Sequence, residues 1–126
     1  MSGPTARPAF GYPLVLDLVG RQVVVVGGGA VALRRVRGLL EAGALVRVVA
    51  PEVAEELSAL PVEVWGRRYA PGDLAAAWLV HACTNSAEVN AAVAAEAGER
   101  RVPCVRADHA PGGTARTPAV ARAGDV

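Results

Sequence analysis

The spacing of apolar and polar positions changes repeatedly along the chain between a strand period and a helical one. Residues 22–26 read Gln-Val-Val-Val-Val, a β-branched run that is apolar on both faces. Such a run is typical of a strand inside a parallel sheet that is covered by helices. A helical period follows over residues 30–42, and Gly43 is predicted to cap the end of that helix.

The same alternation continues through most of the remaining chain. Further strands are predicted at 45–49, 62–65, 79–83 and 102–107, and further helices at 52–60 and 87–98, the last with Ser86 as its cap. Strands that alternate with helices at this spacing predict an α/β fold. We expect a Rossmann-like, doubly wound parallel sheet of about five strands, since each crossover holds one helix. No regular structure is predicted after residue 107.

Composition narrows the functional class. The 126 residues are 52% hydrophobic and 20% charged, which suits one globular domain. The formal net charge of +1 argues against nucleic acid as a partner.

No run reaches the roughly 18 apolar residues that a membrane span needs. The start of the chain does not resemble a secretory signal, and Cys83 and Cys104 are interpreted as buried thiols. We therefore expect a cytoplasmic protein.

The turn after the first predicted strand carries the candidate chemistry. Gly27-x-Gly29-x-x-Ala32 matches the G-x-G-x-x-G/A fingerprint and lies between an all-apolar strand and a helix. The first glycine permits the turn, the second lets the backbone approach a pyrophosphate, and the free N–H groups of the helix bind it. Residues 14–126 are therefore interpreted as a dinucleotide-binding domain, after a disordered lead-in over residues 1–13. The alternative is a structural glycine turn in another kind of α/β protein.

The residues after the second predicted strand leave the choice between NAD and NADP open. NAD enzymes usually carry an acid about 20 positions after the glycines, which binds the ribose hydroxyls. That position is near Ala50 here, and the nearest acid is Glu52, beyond Pro51. Glu52 is either a ribose ligand or a solvated acid in the first turn of a helix. Arg34 and Arg35 would suit a 2′-phosphate, but we interpret them as surface charges of the helix.

Nearly all of the chain after residue 12 also resembles one family. The stretches that carry the resemblance are Tyr12-Pro13-Leu14-x-Leu16-Asp17-Leu18-x-Gly20-Arg21, Gly27-Gly28-Gly29-x-Val31-Ala32-x-Arg34, Val48-Val49-Ala50-Pro51-Glu52, Ala82-x-Thr84-Asn85 with Asn90, and Val105-Arg106-Ala107-Asp108. They are similar to the precorrin-2 dehydrogenases, which precede a methyltransferase in bacterial siroheme synthases.

The resemblance implies the NAD-dependent oxidation of precorrin-2, a polycarboxylate tetrapyrrole, to sirohydrochlorin. Some family members also insert ferrous iron, which we leave open because the sequence has no His/Cys cluster with metal-ligand spacing. A homodimer is implied for the full-length protein. The motif and the resemblance together give these candidate cofactor-binding residues: Gly27, Gly28, Gly29, Ala30, Val31, Ala50, Pro51, Glu52, Thr84 and Asn85.

Asp108 follows the fifth predicted strand and matches the key acidic residue of the family. Ligands of open parallel sheets bind beyond the carboxyl ends of the strands, so Asp108 there could take a proton while the nicotinamide takes a hydride. The alternative is a turn or helix cap. We interpret His109 as an exposed loop residue and His81 as a core or strand-end residue. Candidate partners for the substrate carboxylates are Arg67, Arg68, Arg100, Arg101, Arg106, Arg116 and Arg122, and the alternative for any single one is a solvated surface charge.

The tail departs from the family in two ways. Ala115-Arg116-Thr117-Pro118 stands where the family usually reads Phe-Ile-Met-Pro. The family's helical dimerisation region is also absent, so we expect a domain fragment or the start of a larger polypeptide. These departures favour the alternative function, a non-catalytic NAD-binding regulatory module. Affinity for a tetrapyrrole would separate the two hypotheses.

Overall fold

The computed structural model describes residues 11–118. The strands are β1 (Gln22–Val26), β2 (Leu45–Val49), β3 (Glu63–Trp65), β4 (Leu79–Ala82) and β5 (Cys104–Arg106). The helices are α1 (Ala30–Glu41), α2 (Glu55–Ser58) and α3 (Ala87–Glu99), and a single 3-10 turn spans Ala110–Gly112. The interpretations of residues 1–10, of Arg122 and of the chain from residue 119 onward lie outside the described residues.

The strands form one sheet in the order β3-β2-β1-β4-β5, and every neighbouring pair is parallel. The register pairs Val26 with both Val49 and Ala82, so β1, β2 and β4 end at the same edge. The chain moves outward from β1 in one direction and then from β4 in the other. This reversal creates a switch point between β1 and β4, where open α/β sheets bind ligands. The predicted Rossmann-like parallel sheet is confirmed.

The core lies in two layers, one on each face of the sheet. β1 contributes Val23 and Val25 to the layer under α1 and α2, and Val24 and Val26 to the layer under α3. All four side chains are buried. Burying a valine fully contributes roughly 1.5–3 kcal/mol, so β1 is firmly held from both sides. The turn that follows β1 therefore starts from a rigid support.

Helix α2 is shorter than the predicted 52–60 and begins at Glu55. The loop before it is bound to the glycine turn instead, because the Ala54 N–H donates to the Gly28 carbonyl at 2.8 Å. Glu52 therefore precedes the helix by three residues. The interpretation of Glu52 as an acid in the first helical turn was wrong.

β5 is also shorter than predicted, although its hydrogen bonds to β4 continue for one residue beyond each of its ends. The Val80 N–H donates to the Pro103 carbonyl, and the Ala107 N–H donates to the Ala82 carbonyl, each at 3.0 Å. The other strands and the long helices end within one residue of the predicted positions. No helix within residues 11–118 is long and apolar enough to cross a membrane.

The caps of the two long helices confirm the sequence analysis. The Ser86 side chain accepts a hydrogen bond from the Val89 N–H at the start of α3. Gly43 follows the end of α1 with φ +82°. A short cap of this kind stabilises a helix by about 1 kcal/mol, because it satisfies a backbone group that the helix itself leaves unpaired.

Candidate functional site

A cleft of about 720 Å³ opens at the carboxyl edge of the sheet, at the switch point. The turn after β1, the loop after β2 and the segment after β4 form its walls. The residues predicted to bind the cofactor all line it: Gly27, Gly28, Gly29, Ala30, Val31, Ala50, Pro51, Glu52, Thr84 and Asn85. Val53, Ala54 and Cys83 also line it and were not predicted. They lie next to predicted residues in the chain, which is the signal that could have found them.

Two of the glycines let neighbouring loops approach the turn. Gly27 has φ +137°, and a Cβ there would lie 2.6 Å from the Cys83 carbonyl oxygen. Gly28 packs on the loop after β2, where a Cβ would overlap the Glu52 carbonyl oxygen. Both contacts are shorter than any real Cβ tolerates, so only glycine permits them. The two glycines thereby hold three segments of the cleft wall together.

The third glycine, Gly29, borders open space in the cleft. A Cβ at Gly29 would meet nothing within 4 Å among residues 11–118. No side chain of the described residues caps α1, and its first turn holds no acid. The first helical bond runs from the Leu33 N–H to the Gly29 carbonyl, so the amides of Ala30, Val31 and Ala32 precede the helical ladder. Unpaired amides at a positive helix end, beside open space, fit a pyrophosphate.

Thr84, which follows β4, is fixed by the side chain of Asn90 on α3. The Asn90 Oδ1 accepts hydrogen bonds from the Thr84 N–H at 3.0 Å and from the Thr84 Oγ1 at 2.7 Å. The Asn90 Nδ2 donates to the Thr84 carbonyl at 3.1 Å. Both the backbone and the hydroxyl of Thr84 are therefore held at the cleft wall, and the exposed Asn85 lies next to it.

Asp108 lies two residues beyond β5, next to the strand end that carries Thr84, but it is outside the cleft wall formed by the described residues. Arg106 donates two hydrogen bonds to it, from Nε at 3.1 Å and from Nη2 at 2.9 Å. This guanidinium lowers the pKa of Asp108 against the opposing effect of burial, the nearby Asn90 amide adds a smaller lowering, and the resulting pKa is about 2. Asp108 is therefore ionised and, while paired with Arg106, a weak base.

The histidines and cysteines have the burial that the sequence analysis predicts. His81 is buried in β4, where desolvation and the nearby Arg35 lower its pKa to about 4. His109 is exposed. Cys83 and Cys104 are free thiols, half-buried and buried, whose pKa burial raises to about 11. No group of three or more His, Cys, Asp or Glu residues within 11–118 could hold a metal ion.

Several arginines form hydrogen bonds or ion pairs that the sequence does not indicate. Arg34 is exposed, and Arg35 is half-buried and donates to the Thr117 Oγ1 at 3.1 Å. Within the described part of the chain, neither of them lines the cleft. Three candidate partners of substrate carboxylates are in ion pairs: Arg67 with Asp73, Arg100 with Glu96 and Arg106 with Asp108. Three others are exposed: Arg68, Arg101 and Arg116.

The parallel sheet and the cleft at its switch point define a dinucleotide-binding domain, whose glycine turn suits the pyrophosphate that NAD and NADP share. A family model described as "Putative NAD(P)-binding" matches residues 14–119, and the chain belongs to this family. Residues outside that match are not covered by the family model.

Known proteins confirm the resemblance noted from the sequence. A siroheme synthase of Pseudomonas fluorescens (strain Pf0-1) is 46% identical over 95 residues, which are 72% of this chain and 20% of the relative. A siroheme synthase of Chromobacterium violaceum is 47% identical over 95 residues, with the same coverage. The structure of SirC, precorrin-2 dehydrogenase, superimposes with a TM-score of 0.65 and 31% identity, over 79% of this chain and 50% of SirC. The chain thus spans about a fifth of the length of the curated relatives it matches.

Proposed function

We propose that this domain catalyses the NAD-dependent oxidation of precorrin-2 to sirohydrochlorin in siroheme biosynthesis. Its similarity to siroheme synthases and to a precorrin-2 dehydrogenase supports the substrate. The observation that carries the proposal is the arrangement at the sheet edge. Thr84, which follows β4, lines a cleft suited to a dinucleotide, and the carboxylate of Asp108 follows the adjoining strand β5.

Each part of the cleft has a distinct role in this proposal. The amides at the start of α1 bind the pyrophosphate, and Glu52, which is exposed and lines the cleft, binds the ribose hydroxyls. Thr84, held by Asn90, forms the wall on the side of β4. NAD, when bound, supplies a hydride acceptor. Oxidation of the tetrapyrrole releases one hydride and one proton, and Asp108 would accept the proton.

Proton acceptance requires the ion pair between Asp108 and Arg106 to open. The pKa of about 2 makes the paired carboxylate a poor base at neutral pH. A substrate carboxylate would compete for Arg106, because the planar guanidinium binds carboxylates through two hydrogen bonds. Asp108 would then regain basicity as the substrate binds. The proposed role of Arg106 is thus to bind substrate and to release Asp108.

Turnover by the Asp108→Ala variant tests the proposal. We expect a full-length version of the protein to form sirohydrochlorin and NADH when mixed with NAD and precorrin-2, and the Asp108→Ala variant to lose about 10²–10⁴-fold of that rate. NAD affinity should change far less than the rate. Asp17→Ala is the matched control, because Asp17 is an exposed aspartate in the segment before β1. Normal turnover by Asp108→Ala would remove Asp108 from the mechanism.

A non-catalytic NAD-binding regulatory module is the second candidate. The ion pair with Arg106 favours this candidate, because it keeps the Asp108 carboxylate, the proposed base, engaged in the absence of substrate. Calorimetry with precorrin-2 separates the two functions. An enzyme binds both NAD and the tetrapyrrole, whereas a regulatory module binds NAD and has no affinity for precorrin-2. Iron insertion, a homodimer of the full-length protein and a cytoplasmic location stay predictions.

A further inference from the structure

The Arg106 side chain is enclosed although it lies at the end of an edge strand. β5 is an outer strand of the described sheet, and Arg106 is its final residue. Only 11% of the Arg106 side chain is exposed, whereas the side chains of Arg67 and Arg100, which are also in ion pairs, are 50% and 40% exposed. Ion pairing with an acid therefore does not by itself enclose an arginine in this domain.

Residues 109–112 form a cover turn that packs on the Arg106 side chain. A Cβ at Gly112 would lie 2.8 Å from the Arg106 Nη1 and 3.1 Å from the Arg106 Cδ. The Arg106 side chain would have to move to admit any larger residue at position 112, so glycine lets the backbone lie against it. Asp108 accepts hydrogen bonds from Nε and Nη2 of the same guanidinium. Arg106 is thus held between a carboxylate and the backbone of the cover turn.

The cover turn is attached at both ends but is not part of the core. Before it, the Ala107 N–H donates to the Ala82 carbonyl at 3.0 Å, and after it, the Thr114 N–H donates to the Cys104 carbonyl at 2.9 Å. Between these attachments, none of the residues 110–112 is buried. A segment with little buried surface opens at a lower free-energy cost than the elements that it connects.

The position of the cover turn restricts what reaches Arg106. A guanidinium binds a carboxylate through two of its nitrogens, and Asp108 already occupies Nε and Nη2. A second carboxylate therefore needs Nη1, which is the nitrogen on which Gly112 packs. Binding of a second carboxylate to Arg106 thus requires the cover turn to move.

We propose that the cover turn is a lid over Arg106, closed in this structure, and that a substrate carboxylate reaches the guanidinium only when the turn lifts. The identity of that carboxylate rests on the proposed function. The lid itself is a property of the chain, and it is measured without substrate or NAD. Because only the open fraction of the protein binds the carboxylate, the lid lowers the apparent affinity for substrate by that fraction.

Labelling of arginines with phenylglyoxal, followed by peptide mass spectrometry, tests the lid. The exposed Arg34 serves as the reference within each sample. We expect Arg106 of the wild-type chain to react about tenfold or more slowly than Arg34. In Asp108→Asn the ion pair is lost but the cover turn remains, so Arg106 should still react about threefold or more slowly than Arg34. Arg106 that reacts as fast as Arg34 in either chain would overturn the proposal.

Gly112→Ala removes the cover without removing the ion-pair partner. Its methyl group does not fit against the Arg106 Nη1, so we expect the labelling rate of Arg106 to rise about threefold or more. Gly66→Ala is the matched control, because a Cβ at Gly66 would meet nothing within 4 Å among residues 11–118. An equal rise in both variants, or no rise in a folded Gly112→Ala, contradicts the lid. If Gly112→Ala does not fold, the comparison of the wild-type chain with Asp108→Asn still decides.

Hydrogen exchange with precorrin-2 connects the lid to the proposed function. In the closed turn, the Gly112 N–H donates to the His109 carbonyl at 2.9 Å. We expect precorrin-2, added to the full-length protein without NAD, to speed exchange of the Gly112 amide about threefold or more and to leave the Thr114 amide unchanged. Precorrin-2 that binds without changing the Gly112 amide would refute the lid and leave the proposed function standing. Precorrin-2 that does not bind contradicts the proposed function, and the labelling rates alone then decide the lid.

Discussion

At the residue scale, the three glycines after β1 have different neighbours, and the G-x-G fingerprint does not account for all three. In the pattern Gly27-x-Gly29, position 28 is free to vary, yet Gly28 is the residue that packs on the Glu52 carbonyl. That contact depends on a loop 24 positions further along the chain, which local pattern cannot reveal. Gly29, by contrast, faces open space, as its expected approach to a pyrophosphate requires.

Alanine substitutions at Gly28 and Gly29 should separate folding from binding. Gly28→Ala forces the Glu52 loop away, and we expect it to destabilise the domain by about 1–3 kcal/mol and to weaken NAD binding. Gly29 has φ −99°, which alanine adopts freely, so Gly29→Ala should change stability by less than about 1 kcal/mol. Its methyl group would still occupy the space at the helix end and weaken NAD binding. Thermal unfolding and calorimetry measure both; a Gly29→Ala variant with wild-type NAD affinity contradicts this interpretation.

Arg106 should control the titration of Asp108. We expect Arg106→Ala to raise the pKa of Asp108 from about 2 towards the ordinary value of about 3.9, measured by carboxyl carbon NMR. A depressed pKa stabilises the fold above the unfolded value and loses that contribution as pH falls. The wild-type chain should therefore lose stability between about pH 4 and pH 2, and Arg106→Ala should lose less over the same interval. An unchanged Asp108 titration in the variant would be inconsistent with the ion pair.

At the element scale, α3 organises more of the domain than its alanine-rich sequence indicates. Its cap at Ser86 follows from local sequence and is confirmed. Its inner face also buries Glu96, whose carboxylate accepts hydrogen bonds from the Tyr69 hydroxyl and the Gly72 N–H and pairs with Arg100 at 2.7 Å. Helical periodicity identifies the buried face, but it does not predict a buried acid. Tyr69 and Gly72 come from a segment about 25 residues earlier, and only the folded chain brings them to Glu96.

Removing this acid should loosen the segment before β4. We expect Glu96→Ala to lower the free energy of unfolding by roughly 1–3 kcal/mol, because it leaves the Tyr69 hydroxyl and the Gly72 N–H without the carboxylate that accepts their part-buried hydrogen bonds. Glu99→Ala is the control, an exposed glutamate of the same helix, and it should change stability by less than about 0.5 kcal/mol. Chemical denaturation measures both variants. Equal stability of the two would show that the Glu96 contacts contribute little.

At the scale of the whole molecule, the fold and the cleft follow from signals that are local in the chain. The valine run, the glycine turn and the alternation of strands with helices predict a parallel sheet, and the order of the sheet then brings three strand ends together. The side-chain interactions at the proposed site, by contrast, do not follow from such local signals. The pairing of Asp108 with Arg106 and the contacts of Asn90 depend on side-chain distances, which periodicity and motif spacing do not contain.

The pyrophosphate is the part of the cofactor on which this account depends most directly. Calorimetric titration of the chain with NAD, ADP-ribose and adenosine tests it, because only the first two contain a pyrophosphate. Binding through the amides of α1 predicts one site per chain for NAD and for ADP-ribose, and far weaker binding of adenosine. Absence of NAD binding, or adenosine binding as tightly as ADP-ribose, would contradict the assignment of the glycine turn.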